Sequence, residues 1–188
     1  MKTLFIDTHL NDILVYYLEN GKVIDYREII NKKNNSTMLF PAIKEVLDKH
    51  SINEIIVING PGSFTSVRLG VTIAKTLAYT LNVPIKVVSS LKAFSISSES
   101  KNVALSDGNG YYIGEFDSNY EKVSDYTYIK NQDINSINLE KYNTEYILNV
   151  EKVYEYMKKV DSGVIEKLES VVQEQGNTSN YKEIAVIN

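Results

Sequence analysis

The sequence predicts an α/β fold of two related halves, the second reduced, and three observations predict it. The chain opens on a meander of short apolar runs. A glycine-bearing turn then joins a buried strand directly to a long helix and a further strand. Beyond a polar stretch the same order recurs in a poorer copy. Strand, helix, strand with no hairpin between them is the pattern of a parallel crossover. The polar stretch, Ser98–Lys101, marks a boundary between residues 1–98 and 99–188.

Each element has a local reason. Lys2–Asp7 is a short buried strand, and Ile13–Leu18 is a second apolar run. Asn20-Gly21 is a strong hairpin signal, because both residues tolerate the positive φ of a tight turn. Val23–Ile30 continues as a third strand, with Val23, Asp25, Arg27 and Ile29 on one face. After the polar linker Asn31–Asn35, Leu39, Ile43, Val46 and Leu47 recur at helical spacing as far as about His50, with Ser36 or Thr37 as cap. Glu54–Ile58 is an apolar strand, Phe64–Leu81 a long helix, Val83–Ser89 a strand and Ser90–Ser97 a short helix. In the second half Val103–Ser106, Tyr111–Phe116 and Tyr126–Lys130 read as strands, with Tyr146–Val150 as a further one. Glu151–Val172 follows as an amphipathic helix.

Composition removes several classes of function. There are no cysteines, which excludes disulfides, thiolate metal sites and a thiol nucleophile. With only His9 and His50, a histidine-rich metal site is not expected. Twenty basic against 24 acidic residues give a net charge of −4, which opposes broad phosphate binding and hence a stand-alone nucleic-acid binder. The fourteen tyrosines fit strand propensity better than base stacking, since no basic stripe accompanies them. An acidic residue at position 7 argues against a signal peptide, and no apolar run nears the roughly 20 residues of a membrane span. A cytoplasmic protein with no membrane partner is expected.

Gly60-Pro61-Gly62-Ser63-Phe64-Thr65 lies between a strand and a helix, where free N–H groups favour an anion. It lacks the Lys-Ser/Thr of a Walker loop and the spacing of a dinucleotide fingerprint. Taken alone this is a weak phosphate-binding signal, and a plain strand-to-helix turn capped by Ser63 is the better reading on local grounds. The helix that follows carries an apolar arc of roughly 220°, against the roughly 100° stripe that one core needs. Gly70, Ala74 and Ala78 add a ridge of small residues. The helix therefore packs on two sides, against its own sheet and against either the other half of the chain or a partner.

Asn59–Ala78 closely resembles the Gly-Pro-Gly-Ser-Phe-Thr-Gly-(Leu/Val)-Arg-(Ile/Leu)-Gly segment of the TsaB (YeaZ) family, carried here by Gly60, Pro61, Gly62, Ser63, Phe64, Thr65 and Arg68. Leu4–Thr8 looks like that family's first strand. Asn35-Ser36 through Ile43 is similar to its His-Ser-x-x-Leu-(Leu)-Pro-x-Ile helix, and Val88-Ser89-Ser90-Leu91 matches its Val-Ser-Ser-Leu. Ser66 replaces the usual glycine and Asn35 the usual histidine, and the likeness fades after about Phe116.

The resemblance implies an ASKHA (actin-like, ribonuclease H-like) fold of two lobes, the second reduced. It implies a non-catalytic subunit that pairs with its paralogue, the TsaD transferase, with the TsaE ATPase joining. Together these form N6-threonylcarbamoyladenosine next to the anticodon of tRNAs that read codons beginning with A. On that reading ATP or ADP and the metal belong to the partner proteins, no cofactor is expected on this chain, tRNA is met through the complex, and the free protein is a candidate homodimer. TsaD-type enzymes hold metal with a His-x-x-x-His pair, and the matching helix, Ser36–Lys49, has no histidine. No catalytic residue is assigned. Met38, Phe40, Leu69, Ile73 and Leu77 are expected at the partner interface, since they lie off the main core stripe. Asp7 stands where ASKHA ATPases place a carboxylate near the nucleotide's metal, so it is the candidate for vestigial nucleotide binding. The alternative function is a stand-alone, kinase-like ATP-dependent enzyme using Asp7, the Gly60–Ser63 turn and the Asp107–Gly110 turn.

Overall fold

In the computed structural model, which describes residues 1–10, 12–30 and 35–160, a central strand organises everything else. β1 (Lys2–Asp7) is buried on both faces from Thr3 onward. It pairs antiparallel with β2 (Ile13–Glu19), which pairs antiparallel with β3 (Lys22–Ile29) across the Asn20-Gly21 turn. Asn20 and Gly21 both take positive φ, as the hairpin reading requires. On its other side β1 runs parallel to β4 (Glu54–Ile58), and β4 runs parallel to β5 (Ile85–Val88). The sheet order is β3-β2-β1-β4-β5, meander and crossover in one sheet.

Helices α1 (Asn35–Leu47) and α2 (Phe64–Leu81) cover one face. Leu39, Ile43 and Val46 of α1 and Val67, Val71, Ala74 and Ala78 of α2 meet Leu4, Ile6, Val15, Ile55 and Val57. α1 starts at Asn35, ahead of the Ser36 or Thr37 cap expected from sequence. On the opposite face lie α3 (Ser90–Ser98) and a helix over residues 150–160, here α4. Ala93 and Ile96 of α3 and Val153 and Tyr154 of α4 pack on Phe5, Leu18, Ile56 and Val88.

The second sheet has the order β6-β7-β8: β6 (Asn102–Ser106), β7 (Gly110–Glu115) and β8 (Thr127–Lys130), all antiparallel. Leu91 and Phe94, on the other side of α3, pack against its Val103 and Leu105 and against Phe116. Two 3-10 turns, Asn131–Ser136 and Leu139–Lys141, follow. The strand expected at Tyr146–Val150 is not formed. Residues 146–149 are irregular, and the chain instead touches β6 at Asn143, whose N–H donates to Asn102 O and whose carbonyl accepts from Ala104 N–H. Residues 161–172 of the expected helix, and the tail 176–188, lie outside the described residues. No helix among the described residues is long and apolar enough to cross a membrane.

Edge strand β3 carries a charge network that ties it to α1. Asp25 accepts from Arg27 Nη1 at 2.8 Å and lies 3.2 Å from His50 Nε2, while Arg27 Nε donates to Glu45 at 2.7 Å. Charges on an edge strand discourage edge-to-edge pairing with another chain.

Candidate functional site

Two neighbouring features carry the residues singled out from sequence: the turn before α2, and the outer face of α1 and α2. The turn is a packing joint. Ser90, at the start of α3, donates its N–H to Gly60 O at 2.8 Å and its hydroxyl to Pro61 O at 2.5 Å. Ser89 caps α3 by accepting from Lys92 N–H at 3.2 Å. The Ser-Ser pair thus anchors a glycine turn about thirty residues upstream in the chain, a link that sequence reading did not make.

Gly62 and Gly70 are required by close approach. A Cβ on Gly62 would stand 2.2 Å from the backbone oxygen of His9, which also accepts Ser63 N–H at 2.8 Å. A Cβ on Gly70 would stand 2.3 Å from Thr8 Oγ1, whose hydroxyl donates to Ser66 O at 2.7 Å. Thr8 and His9, just past β1, are therefore in direct contact with the glycine turn and the first two turns of α2. Ser63 sits at the helix N-cap, yet its side chain makes no cap hydrogen bond. It donates to Ser66 Oγ at 3.2 Å instead, which gives the serine in place of the family's glycine a local partner. Gly70→Ala is expected to overpack this joint and lower the free energy of unfolding by about 1–3 kcal/mol, readable as a lower urea midpoint.

Asp7 does not stand open at the strand end. Asp7 and His9 are each 1% exposed. His9 Nδ1 lies 2.6 Å from Asp7 Oδ1, which also accepts the His9 N–H at 3.0 Å, and Tyr146 donates its hydroxyl to Asp7 Oδ2 at 3.2 Å. Burial by itself pushes the carboxyl up. The attraction and hydrogen bonds of His9, with the Tyr146 hydroxyl, outweigh it and hold Asp7 below the ordinary aspartate value. Its Oδ1 also caps the chain leaving β1, by accepting the N–H two residues on. A folded-state pKa below the unfolded one gives stability that is present above the unfolded value of 3.8 and lost as pH falls through the folded value. Urea titrations below pH 4 are expected to show a stability slope in the parent that is flatter in Asp7→Asn.

The stand-alone ATP-dependent reading needs three features together, and the structure gathers two. Gly62, Ser63 and Phe64 face Ser106, Asp107 and Gly108 across a cleft of about 620 Å3. The third feature, Asp7, has both carboxylate oxygens occupied as described. Asp107 itself accepts from Asn109 N–H and Gly110 N–H, each at 2.9 Å, so it shapes its own turn. Among the described residues no group of three or more His, Asp or Glu is placed to hold a metal ion.

The outer face of α1 and α2 is apolar and partly open. Phe40 is 54% and Phe64 53% exposed, and the Arg68 guanidinium lies 3.5 Å above the Phe64 ring. Tyr79, 77% exposed, and Leu81 are also open near the end of α2, on different sides of the helix. Met38, Leu69, Ile73 and Leu77 are half-buried and pack against the rim of the main core. Leu69, Ile73 and Leu77, spaced four apart, form one ridge, so the wide arc divides into a buried stripe and a ridge shared between core and surface. Thr65 is exposed beside Phe64.

The protein named tRNA threonylcarbamoyladenosine biosynthesis protein TsaB in Bacillus subtilis (strain 168) is 39% identical over 100 residues, 50% of this chain and 44% of that one. A Buchnera aphidicola protein of the same name is 38% identical over 65 residues, 32% of this chain and 29% of that one. The matches thus span less than half the length of either relative. The family model "TsaD: tRNA N6-adenosine threonylcarbamoyltransferase" matches residues 29–137, more than half of the chain. The chain belongs to the TsaB (YeaZ) family, within this wider TsaD-type group. Two solved Pseudomonas aeruginosa structures share the TsaB fold. One, described as similar to peptidase YeaZ, has a TM-score of 0.64 at 14% identity, covering 100% of this chain and 98% of that one. The other, YeaZ itself, has a TM-score of 0.63 at 15% identity, covering 100% and 99%. The fold, with two sheets of unequal size, is therefore shared with the solved YeaZ structure.

Proposed function

We propose that this chain is a non-catalytic TsaB-type subunit in the formation of N6-threonylcarbamoyladenosine on tRNA, acting by pairing with a TsaD-type transferase. The observation that carries this reading is apolar side chain left open on both helices: Phe40 of α1 and Phe64 of α2 stand more than half exposed, and the half-buried Leu69–Ile73–Leu77 ridge flanks the core stripe of α2 on the side away from Phe64. Large apolar side chains left open on helices already packed on their own sheet fit an interaction site, and a ridge shared between core and surface suits ridges-into-grooves packing against helices of a paralogue. The family's part in tRNA threonylcarbamoyladenosine biosynthesis supports the pathway. In this reading the TsaD-type partner holds the metal and transfers the threonylcarbamoyl group to the adenosine next to the anticodon. A TsaE-type ATPase joins the pair, tRNA is met through the complex, and the work is done in the cytoplasm. Without its partner, the chain covers the same face by homodimerising.

The test is light scattering coupled to size exclusion, on the chain alone and mixed with the TsaD-type paralogue from the same source. A one-to-one complex is the expected result. Separate elution of the two proteins, with nucleotide and the TsaE-type ATPase present, overturns the reading.

A further inference from the structure

Residues 142–149 run as an irregular strap between the second sheet and α4, pinned at both ends. Near its start Tyr142 donates its hydroxyl to Glu115 at 2.6 Å, and Asn143 bonds to β6 in both directions. At its far end Asn149 N–H donates to Ser97 Oγ on α3 at 2.8 Å. Between the pins Tyr146 leaves the second sheet and reaches the end of β1, donating to Asp7 Oδ2. Its ring lies edge-on to His9, with centroids 4.8 Å apart, and edge-on to Phe94 at 5.2 Å.

The place it reaches is not ordinary packing. β1 is where the sheet changes from antiparallel to parallel pairing, and in open α/β sheets the crevice at the carboxyl ends of such strands is where ligands sit. Here that crevice holds a carboxylate and an imidazole buried side by side. His9 Nε2 is buried and makes no hydrogen bond among the described residues, an arrangement that leaves a polar atom desolvated without compensation. The next residue along, Leu10, already lines the cleft together with Gly62 and Ser63. The Asp–His pair is thus one residue from a solvent-filled cleft, with a tyrosine from the other half of the chain against it.

We propose that residues 142–149 are a closing strap, and that Tyr146 plugs the crevice at the end of β1 and keeps Asp7 and His9 out of the adjoining cleft until the strap lifts. The plug is a conformational device built across the two halves, and lifting it exposes a carboxylate–imidazole pair whose Nε2 is already without a partner.

The chain has two histidines, which makes the test direct. Diethyl pyrocarbonate modifies accessible imidazole nitrogens, and peptide mass spectrometry separates His9 from His50, which is partly exposed and serves as the internal reference. In the parent protein His50 is expected to react and His9 to be protected. In Tyr146→Ala the His9 rate is expected to rise on the order of tenfold, with the His50 rate unchanged, because only a local opening has become easier. His9 reacting as fast as His50 in the parent overturns the proposal, since the closed form is then not the populated one. His9 remaining protected in folded Tyr146→Ala overturns it as well, since the first half alone then buries the pair. If circular dichroism shows Tyr146→Ala to be unfolded, Tyr146→Leu decides: it keeps an apolar side chain but removes the covering ring and the hydrogen bond to Asp7, and an unchanged His9 rate there rejects the strap.

Discussion

Phe94→Ala is expected to cost about 3–5 kcal/mol of unfolding free energy, the largest single effect among these variants. Phe94 is fully buried on α3, where its ring meets Leu91, Val103, Leu105 and Phe116 below the second sheet and the edge of Tyr146. Truncation removes the transfer energy of the ring and leaves a void that neighbours held by two sheets cannot close. Against a typical total of about 5–15 kcal/mol, that is a large fraction of the stability. A urea titration followed by circular dichroism reads the loss. Hydrogen exchange reads its location: amides of β6 and β7 are expected to lose protection before those of β1 and β4, because the cluster that Phe94 serves is the one under β6 and β7. Uniform loss across both sheets would mean that the two halves unfold as one unit.

The second large effect concerns pairing. Phe40→Asp is expected to leave the isolated chain folded, with stability changed by no more than about 0.5 kcal/mol, because the side chain is more than half exposed. Complex formation with the TsaD-type paralogue is expected to weaken by about 2 kcal/mol or more, roughly thirtyfold in dissociation constant. Phe40 is a cleaner probe than Leu69 or Ile73. Those two are half-buried against the core rim, so Leu69→Asp or Ile73→Asp strains the fold and the interface together. Light scattering on the mixture measures the loss, and a thermal melt of the single chain confirms the fold. An unweakened complex would move the interface off α1.

The elements legible in the sequence were those with a strong period or strong punctuation. Asn20-Gly21 announced its hairpin, and the glycine turn with the apolar period after it announced Phe64–Leu81, which the structure ends at Asn82 in left-handed conformation. The direct passage from strand to helix to strand implied the parallel pairing that β1, β4 and β5 make. Contacts between residues distant in the chain left no such trace. Nothing local ties Ser90 to Gly60, or Tyr146 to Asp7 across 139 positions. His9, taken alone, reads as a turn residue, since burial of an imidazole shows only when its carboxylate partner and covering ring are in place. The Tyr146–Val150 run has strand composition, yet neighbouring side chains and the pins at Asn143 and Asn149 hold it irregular. Tertiary contact there overrides propensity.

α3 has a consequence for how the molecule meets a partner. Seven of its nine residues are buried, with Ala93 and Ile96 turned to one sheet and Leu91 and Phe94 to the other. Two sheets that share one helix as a common wall have no hinge line between them. An encounter with another protein therefore meets a surface already in its final shape, and little conformational entropy is left to lose on docking. Free energy from the open face goes into affinity instead of into ordering the chain, and a push on the first sheet is carried to the second as displacement of a solid body.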